Sequence, residues 1–214
     1  MKSLGLLLSA LLSSSLATAS ILKVESSDQK LENLLLAKSA TLQMEGKSTP
    51  LVALGSGLRQ KKVIFVHVKV YVAELFAAAG TNFVRTESEA LNSLDQANTS
   101  AIRLTFLRSV DAEKVEGSFK EALSANKVDI KDPAIESFLK AVHASGEAHE
   151  GKSLLLAIQK NSDGSETLVF EDTNEKVEKI NGTKGLGKNI LSIWLGQSVD
   201  DGIAKLKESL LKGN

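Results

Sequence analysis

Cysteine is absent from all 214 residues, which excludes disulfides and thiolate metal sites and leaves stability to the packed core. Histidine is nearly as scarce. His67, His143 and His149 show no HExxH spacing, so no metal centre is expected and no cofactor is implied. No GxSxG occurs, and with no thiol either, nucleophilic hydrolysis has no signature here. Gly185-Leu186-Gly187-Lys188 falls short of a phosphate-binding loop and reads as a turn entering a helix. An excess of one charge is missing too: 26 basic residues face 26 acidic ones, a balance that advertises neither nucleic acid nor an anionic membrane as a partner.

The longest apolar stretch, Leu4 to Leu16, runs for about 13 residues, short of the ~20 a helix needs to cross a bilayer. It follows Lys2 and precedes Ala17-Thr18-Ala19, a small-x-small cleavage pattern. Residues 1–19 therefore read as a secretory signal peptide cut after Ala19, giving a periplasmic or secreted protein with no membrane span after cleavage.

Residues 20–39 read as an N-terminal arm or a short helix, and residues 40–214 as one domain. Short β-prone segments follow, Ala40 to Met44 and Leu51 to Leu54, punctuated by glycine and proline. Gly55-Ser56-Gly57 then precedes a long run from Val63 to Phe76, and Ala101 to Leu107 is a further strand candidate. Asp111 caps a helix whose stripe is Val115, Phe119, Ala122 and Leu123, and Asp132-Pro133 opens a second with Ile135, Phe138, Leu139 and Val142 inward. Ser153 to Lys160 and Glu166 to Glu171 flank an Asp163-Gly164 hairpin turn. Two C-terminal helices are expected, Asn189 to Leu195 and one from about Asp200 with Ile203, Leu206 and Leu210 inward. Strands, helices, strands and helices without regular alternation argue for an α+β fold.

In the long run Ile64, Val66, Val68, Val70 and Val72 share one face, while Val63, Phe65, His67, Lys69 and Tyr71 share the other. The aliphatic face is expected in the core. The mixed face borders either a partly solvated cleft or plain solvent. Arg59, ahead of the run, and Tyr71, twelve residues later, suit a carboxylate or enolate oxygen, because Arg binds bidentately and Tyr adds a hydrogen bond. The alternative is a solvated basic turn with Lys61 and Lys62 beside a sheet-surface tyrosine.

Gly55-x-Gly57-x-Arg59 and Lys69-Val70-Tyr71-Val72-Ala73-x-Leu75-Phe76, with LTFLRSVDAEKVEGSFKEALSAN at 104–126 and INGTKGLGKNILSIWLGQSVDDGIAKLKESLL at 180–211, resemble the chalcone isomerase-like proteins, in particular bacterial exported members. Ile193-Trp194-Leu195-Gly196 is the most specific piece. The resemblance implies an antiparallel β-sheet with helices packed on one face, an open sandwich with a ligand cleft between the layers. In the plant enzymes of that family a cleft Arg, a strand Thr, and a helical Tyr and Asn steer closure of a flavonoid ring. The Arg matches Arg59, the Thr falls at Tyr71, and the helical pair falls near Lys114 and Glu121, so only the Arg survives in kind.

Non-catalytic relatives hold a fatty-acid carboxylate with an equivalent Arg and a Tyr. The resemblance thus implies ligand-binding roles for Arg59 and Tyr71 and a small amphipathic molecule or fatty acid as partner. Two other readings stand beside it: an isomerase or intramolecular lyase acting on an enone-like substrate, and a non-catalytic structural protein.

Overall fold

The computed structural model describes residues 20–44 and 46–213, so the signal-peptide reading of residues 1–19 lies outside the described residues. Eight strands form one antiparallel sheet in sequence order: β1 (Leu22–Leu31), β2 (Leu34–Met44), β3 (Lys47–Val63), β4 (Val66–Ala78), β5 (Thr99–Phe106), β6 (Ser153–Lys160), β7 (Glu166–Glu171) and β8 (Val177–Gly182). Five helices complete the fold: α1 (Ala90–Leu94), α2 (Ala112–Ala125), α3 (Pro133–Ala144), α4 (Leu186–Leu195) and α5 (Asp201–Lys212). No described helix is long and apolar enough to cross a membrane.

The larger core lies between the sheet and the helices and joins Leu75, Ile102, Leu104 and Leu156 to Phe119, Phe138, Ile190 and Trp194. A smaller core forms on the other face, where Leu22, Ala37 and Leu42 meet Phe76, Leu155 and Val169. The β1–β2 hairpin therefore folds back across the sheet. Buried carboxylates fix that return: Glu171 accepts from the Ile21 N–H at 2.9 Å, and Glu74 accepts from the Ala37 N–H at 2.7 Å and from Arg103. Paired in this way, the two Glu side chains meet the requirement that a buried charge be hydrogen-bonded.

Asp132 caps α3 as expected, accepting from the Ala134 and Ile135 N–H groups. Asp111 precedes α2 but turns its side chain to Lys114 instead. Helix α4 begins at Leu186 rather than Asn189, launched from Gly185 at a positive φ of 96°.

Three expectations around the opening strands are corrected. Residues 20–39 are neither a helix nor a loose arm; they form β1 and the first half of β2. Val63 to Phe76 is not one strand, because Ile64 and Phe65 are the turn between β3 and β4. Nor does Gly55-Ser56-Gly57 separate the Leu51 to Leu54 segment from the next strand, because it lies in the middle of β3. Glycine is needed there for close approach: a Cβ on Gly55 would overlap the Leu210 backbone, and one on Gly57 would come within 2.7 Å of Leu206 Cδ1. A Cβ on Gly202 would overlap the Gln60 carbonyl oxygen. Glycines on strand and helix thus let α5 rest on the backbone of β3.

The alternation across β4 also differs from the sequence reading. Arg59 pairs with Tyr71, yet Lys61 pairs with Val68, so two residues on β3 oppose three on β4. The extra residue makes a β-bulge at Val70 that switches which side chains share a face. Tyr71 joins the helix side with Ala73 and Leu75, while Lys69 points away and pairs with Glu32.

Candidate functional site

Between the sheet and helices α2, α4 and α5 lies a cleft of about 580 Å³. Its sheet side takes Val68, Val70 and Tyr71 from β4 and Phe106 from β5, so valines expected in the core line the cleft instead. Its helix side takes Val115, Phe119 and Ala122 from α2, with Ile193 and Ile203 beyond. Apolar side chains make up most of these walls, with charged groups among them, a composition that suits a small amphipathic molecule. A second hollow of about 620 Å³ between the end of β4 and α1 shares no residue with the cleft; Glu89 is its one charged lining residue among those described.

The β3–β4 hairpin makes Arg59 and Tyr71 cross-strand partners. Both are buried and both line the cleft, Arg59 with only 7% of its surface exposed. A cation so enclosed requires a partner. Asp200 supplies it: Arg59 Nη1 and Nη2 donate to its two carboxylate oxygens at 2.7 and 2.6 Å, and Nη1 also donates to the Gln60 carbonyl at 2.5 Å. The same carboxylate caps α5 by accepting from the Ile203 N–H at 2.9 Å. Burial pushes the Asp200 carboxyl upward, but the Arg59 and Ile203 hydrogen bonds outweigh it and hold the group below its ordinary range. The Nε–H edge of the guanidinium has no acceptor among the described residues.

Tyr71 is set from the other side. Its hydroxyl oxygen accepts from the Trp194 indole N–H at 3.0 Å, its ring meets Phe106 edge-on at 5.7 Å, and Trp194 in turn sits edge-on to Phe119 at 5.5 Å. Burial raises the phenol above its ordinary range, opposed by the Trp194 hydrogen bond and the Arg59 cation. The phenol therefore keeps its proton at neutral pH, and no described residue accepts it. A buried hydroxyl bonded as an acceptor alone retains a donor for a ligand.

Four cations and two carboxylates border the cleft: Arg59, Lys61, Arg108 and Lys114 against Glu121 and Asp200. Lys114 donates to Asp111 at 2.5 Å and is largely exposed, whereas Lys61 and Arg108 have no ion-pair partner among the described residues. His67 and Lys69 do not line the cleft. His143 and His149 lie elsewhere, each beside a single glutamate, Glu116 and Glu147. Sequence reasoning missed Asp200 as the partner of Arg59 and Trp194 as the partner of Tyr71. The helix start near position 200 and the Trp194 segment were visible, but no local pattern joins them to residues 59 and 71.

The sequence pattern of the chalcone isomerase-like family matches residues 30–212. This chain belongs to the chalcone isomerase-like family. No curated protein matches it. Among solved structures it is similar to an Arabidopsis thaliana fatty-acid binding protein, at 17% sequence identity and a TM-score of 0.55, over 80% of this chain and 95% of that one. At that identity the likeness establishes the fold, an eight-stranded antiparallel sheet with helices that belongs to the α+β class. In this member of the family Lys114 and Glu121 both border the cleft from α2. Lys114 is held by Asp111, and neither residue is the Tyr or Asn that the resemblance to the plant ring-closing enzymes would lead one to expect there.

Proposed function

We propose that this protein binds a small amphipathic acid of the fatty-acid type in the cleft between sheet and helices. The observation that carries the reading is the unclaimed proton of the buried Tyr71 hydroxyl, on the cross-strand partner of Arg59, whose own Nε–H has no acceptor among the described residues. Together these offer two donors to a carboxylate while the hydrocarbon lies against Val70, Phe106 and Phe119. Unpaired Lys61 and Arg108 at the border favour an anion as it enters. The fatty-acid binding protein of similar fold supports the same ligand class.

Native mass spectrometry of the purified protein, followed by titration with dodecanoate, tests this. A single bound acid is expected, with affinity falling on the order of tenfold in Arg59→Lys, which keeps the charge and loses the planar fork. Absence of any co-purifying acid and of dodecanoate binding would exclude the reading. We further propose export, on the basis of residues 1–19. The N-terminus of protein recovered from expressing cells should then begin at Ser20, and an intact Met1 in a cytoplasmic fraction would refute it.

A further inference from the structure

The end of the β3–β4 hairpin is the least protected apolar surface among the described residues. Val63 is 50% exposed, Ile64 78%, Phe65 91% and Val66 63%. Single exposed apolar residues are ordinary, but four in succession at a strand turn are not. Nor does the local backbone require them. Ile64 holds a positive φ of 56°, a region where glycine or asparagine sits without strain and a β-branched residue does not. The turn therefore bears strain while its isoleucine gains no packing in return.

The collar around this tip is basic. Residues 57–71 contain Arg59, Lys61, Lys62 and Lys69 and no Asp or Glu; Asp200 pairs with Arg59 and Glu32 with Lys69, which leaves Lys61 and Lys62 as the local positive excess. Lys61 and Lys62 have no ion-pair partner among the described residues, and Lys62 lies across the hairpin from His67. We propose that this hairpin tip docks the protein on an anionic lipid surface, with Ile64 and Phe65 entering the boundary between headgroups and acyl chains and Lys61 and Lys62 meeting lipid phosphates.

Dimensions and chemistry favour lipid over a protein groove. A strand advances ~3.3 Å per residue, so a turn flanked by Val63 and Val66 reaches about 5–7 Å, the depth at which interfacial apolar groups settle. The four tip side chains have no hydrogen-bonding group with which to read a partner's surface, whereas a lysine collar needs only diffuse negative charge. Lys61, Val63 and Val68 of the same hairpin also line the cleft, so its border lies next to the docking surface.

Flotation of the protein with phosphatidylglycerol–phosphatidylcholine vesicles tests the proposal, using wild type and Ile64→Asp/Phe65→Asp with the same N-terminus so that the difference isolates the tip. Partitioning should fall on the order of tenfold or more in the variant. Aspartate tolerates the left-handed turn better than isoleucine, so folding is expected to survive, as near-ultraviolet dichroism would show. Lys61→Gln/Lys62→Gln should weaken binding and flatten its salt dependence. Phe65→Trp adds an indole to a protein whose own Trp194 is fully buried, and brominated lipids should quench it. Equal flotation of wild type and tip variant, an unquenched indole, or tip-dependent binding only to a protein would overturn the proposal. Arg59→Lys should leave flotation unchanged, so failure of acid binding and failure of docking are separable.

Discussion

Asp200 performs two tasks with one carboxylate: it caps α5 through the Ile203 N–H and closes on the guanidinium of Arg59. Any acid entering the cleft meets a cation already neutralised by the protein itself. Asp200→Asn keeps a good capping residue and removes the charge. It should lower unfolding free energy by about 1–2 kcal/mol, below the figure for a fully buried pair because Asp200 is partly exposed. It should also raise dodecanoate affinity by up to about tenfold, as expected for removing one nearby negative charge. Calorimetric titration showing unchanged or weaker binding would mean that Asp200 does not compete with the ligand.

Tyr71→Phe leaves ring packing against Phe106 intact but removes the acceptor of the Trp194 indole N–H. An unpaired buried donor costs about 1–3 kcal/mol, and the urea midpoint should fall accordingly. Acid affinity should fall as well. Loss of stability with full affinity would show the hydroxyl to be a support for Trp194 only.

Asp200 also sets the acid limit. Its carboxyl is held below the ordinary value of 3.8, so its contribution to stability is present above that pH and is lost as pH falls through the lower folded-state value. Tyr71, raised above 10.0, contributes stability that is present below pH 10 and is lost as pH rises from there through its folded value. Stability attributable to this pair is therefore flat from about pH 5 to 9. In Asp200→Asn the acid limb of a denaturation–pH profile should become shallower, and an unchanged limb would place its origin in other carboxylates.

Two glycines should respond to alanine with opposite signs. At Gly202 a methyl group overlaps the Gln60 carbonyl oxygen and Arg59 Nη1. The ~1 kcal/mol that alanine brings to a helix loses to a backbone overlap of about 1–3 kcal/mol or more. At Gly117, within α2, a Cβ meets nothing within 4 Å, so the propensity gain of about 0.5–1 kcal/mol remains. Thermal melts should show Gly202→Ala lowered and Gly117→Ala raised.

The helices α2 and α3 and the Asp163-Gly164 hairpin were legible because each carries its signal locally, in a capping residue, a stripe or a turn dipeptide. The β1–β2 hairpin was not, because residues 20–39 mix polar and apolar positions without a clean period of two and β1 pairs irregularly around Ser26. Arg59 and Tyr71 stood out as residue types, yet their direct pairing depends on the hidden turn at Ile64-Phe65. The bulge at Val70 reassigns the cleft-facing side chains, and nothing in a run of alternating valines marks where an extra residue will be inserted. The glycines were read as punctuation because their use, contact with α5, lies some 150 residues away in the chain.

That separation bears on how the site comes into being. The sheet runs in sequence order, so every strand finds its neighbour soon after it is made. Arg59 alone among the groups that bind Asp200 waits 141 residues for its counter-ion. During synthesis from the N-terminus the glycine-lined strand β3 stays uncovered, and its cation hydrated, until α5 arrives. The sheet can thus be nearly complete while the cleft still lacks Asp200 and Ile203, the lining residues that come with α5.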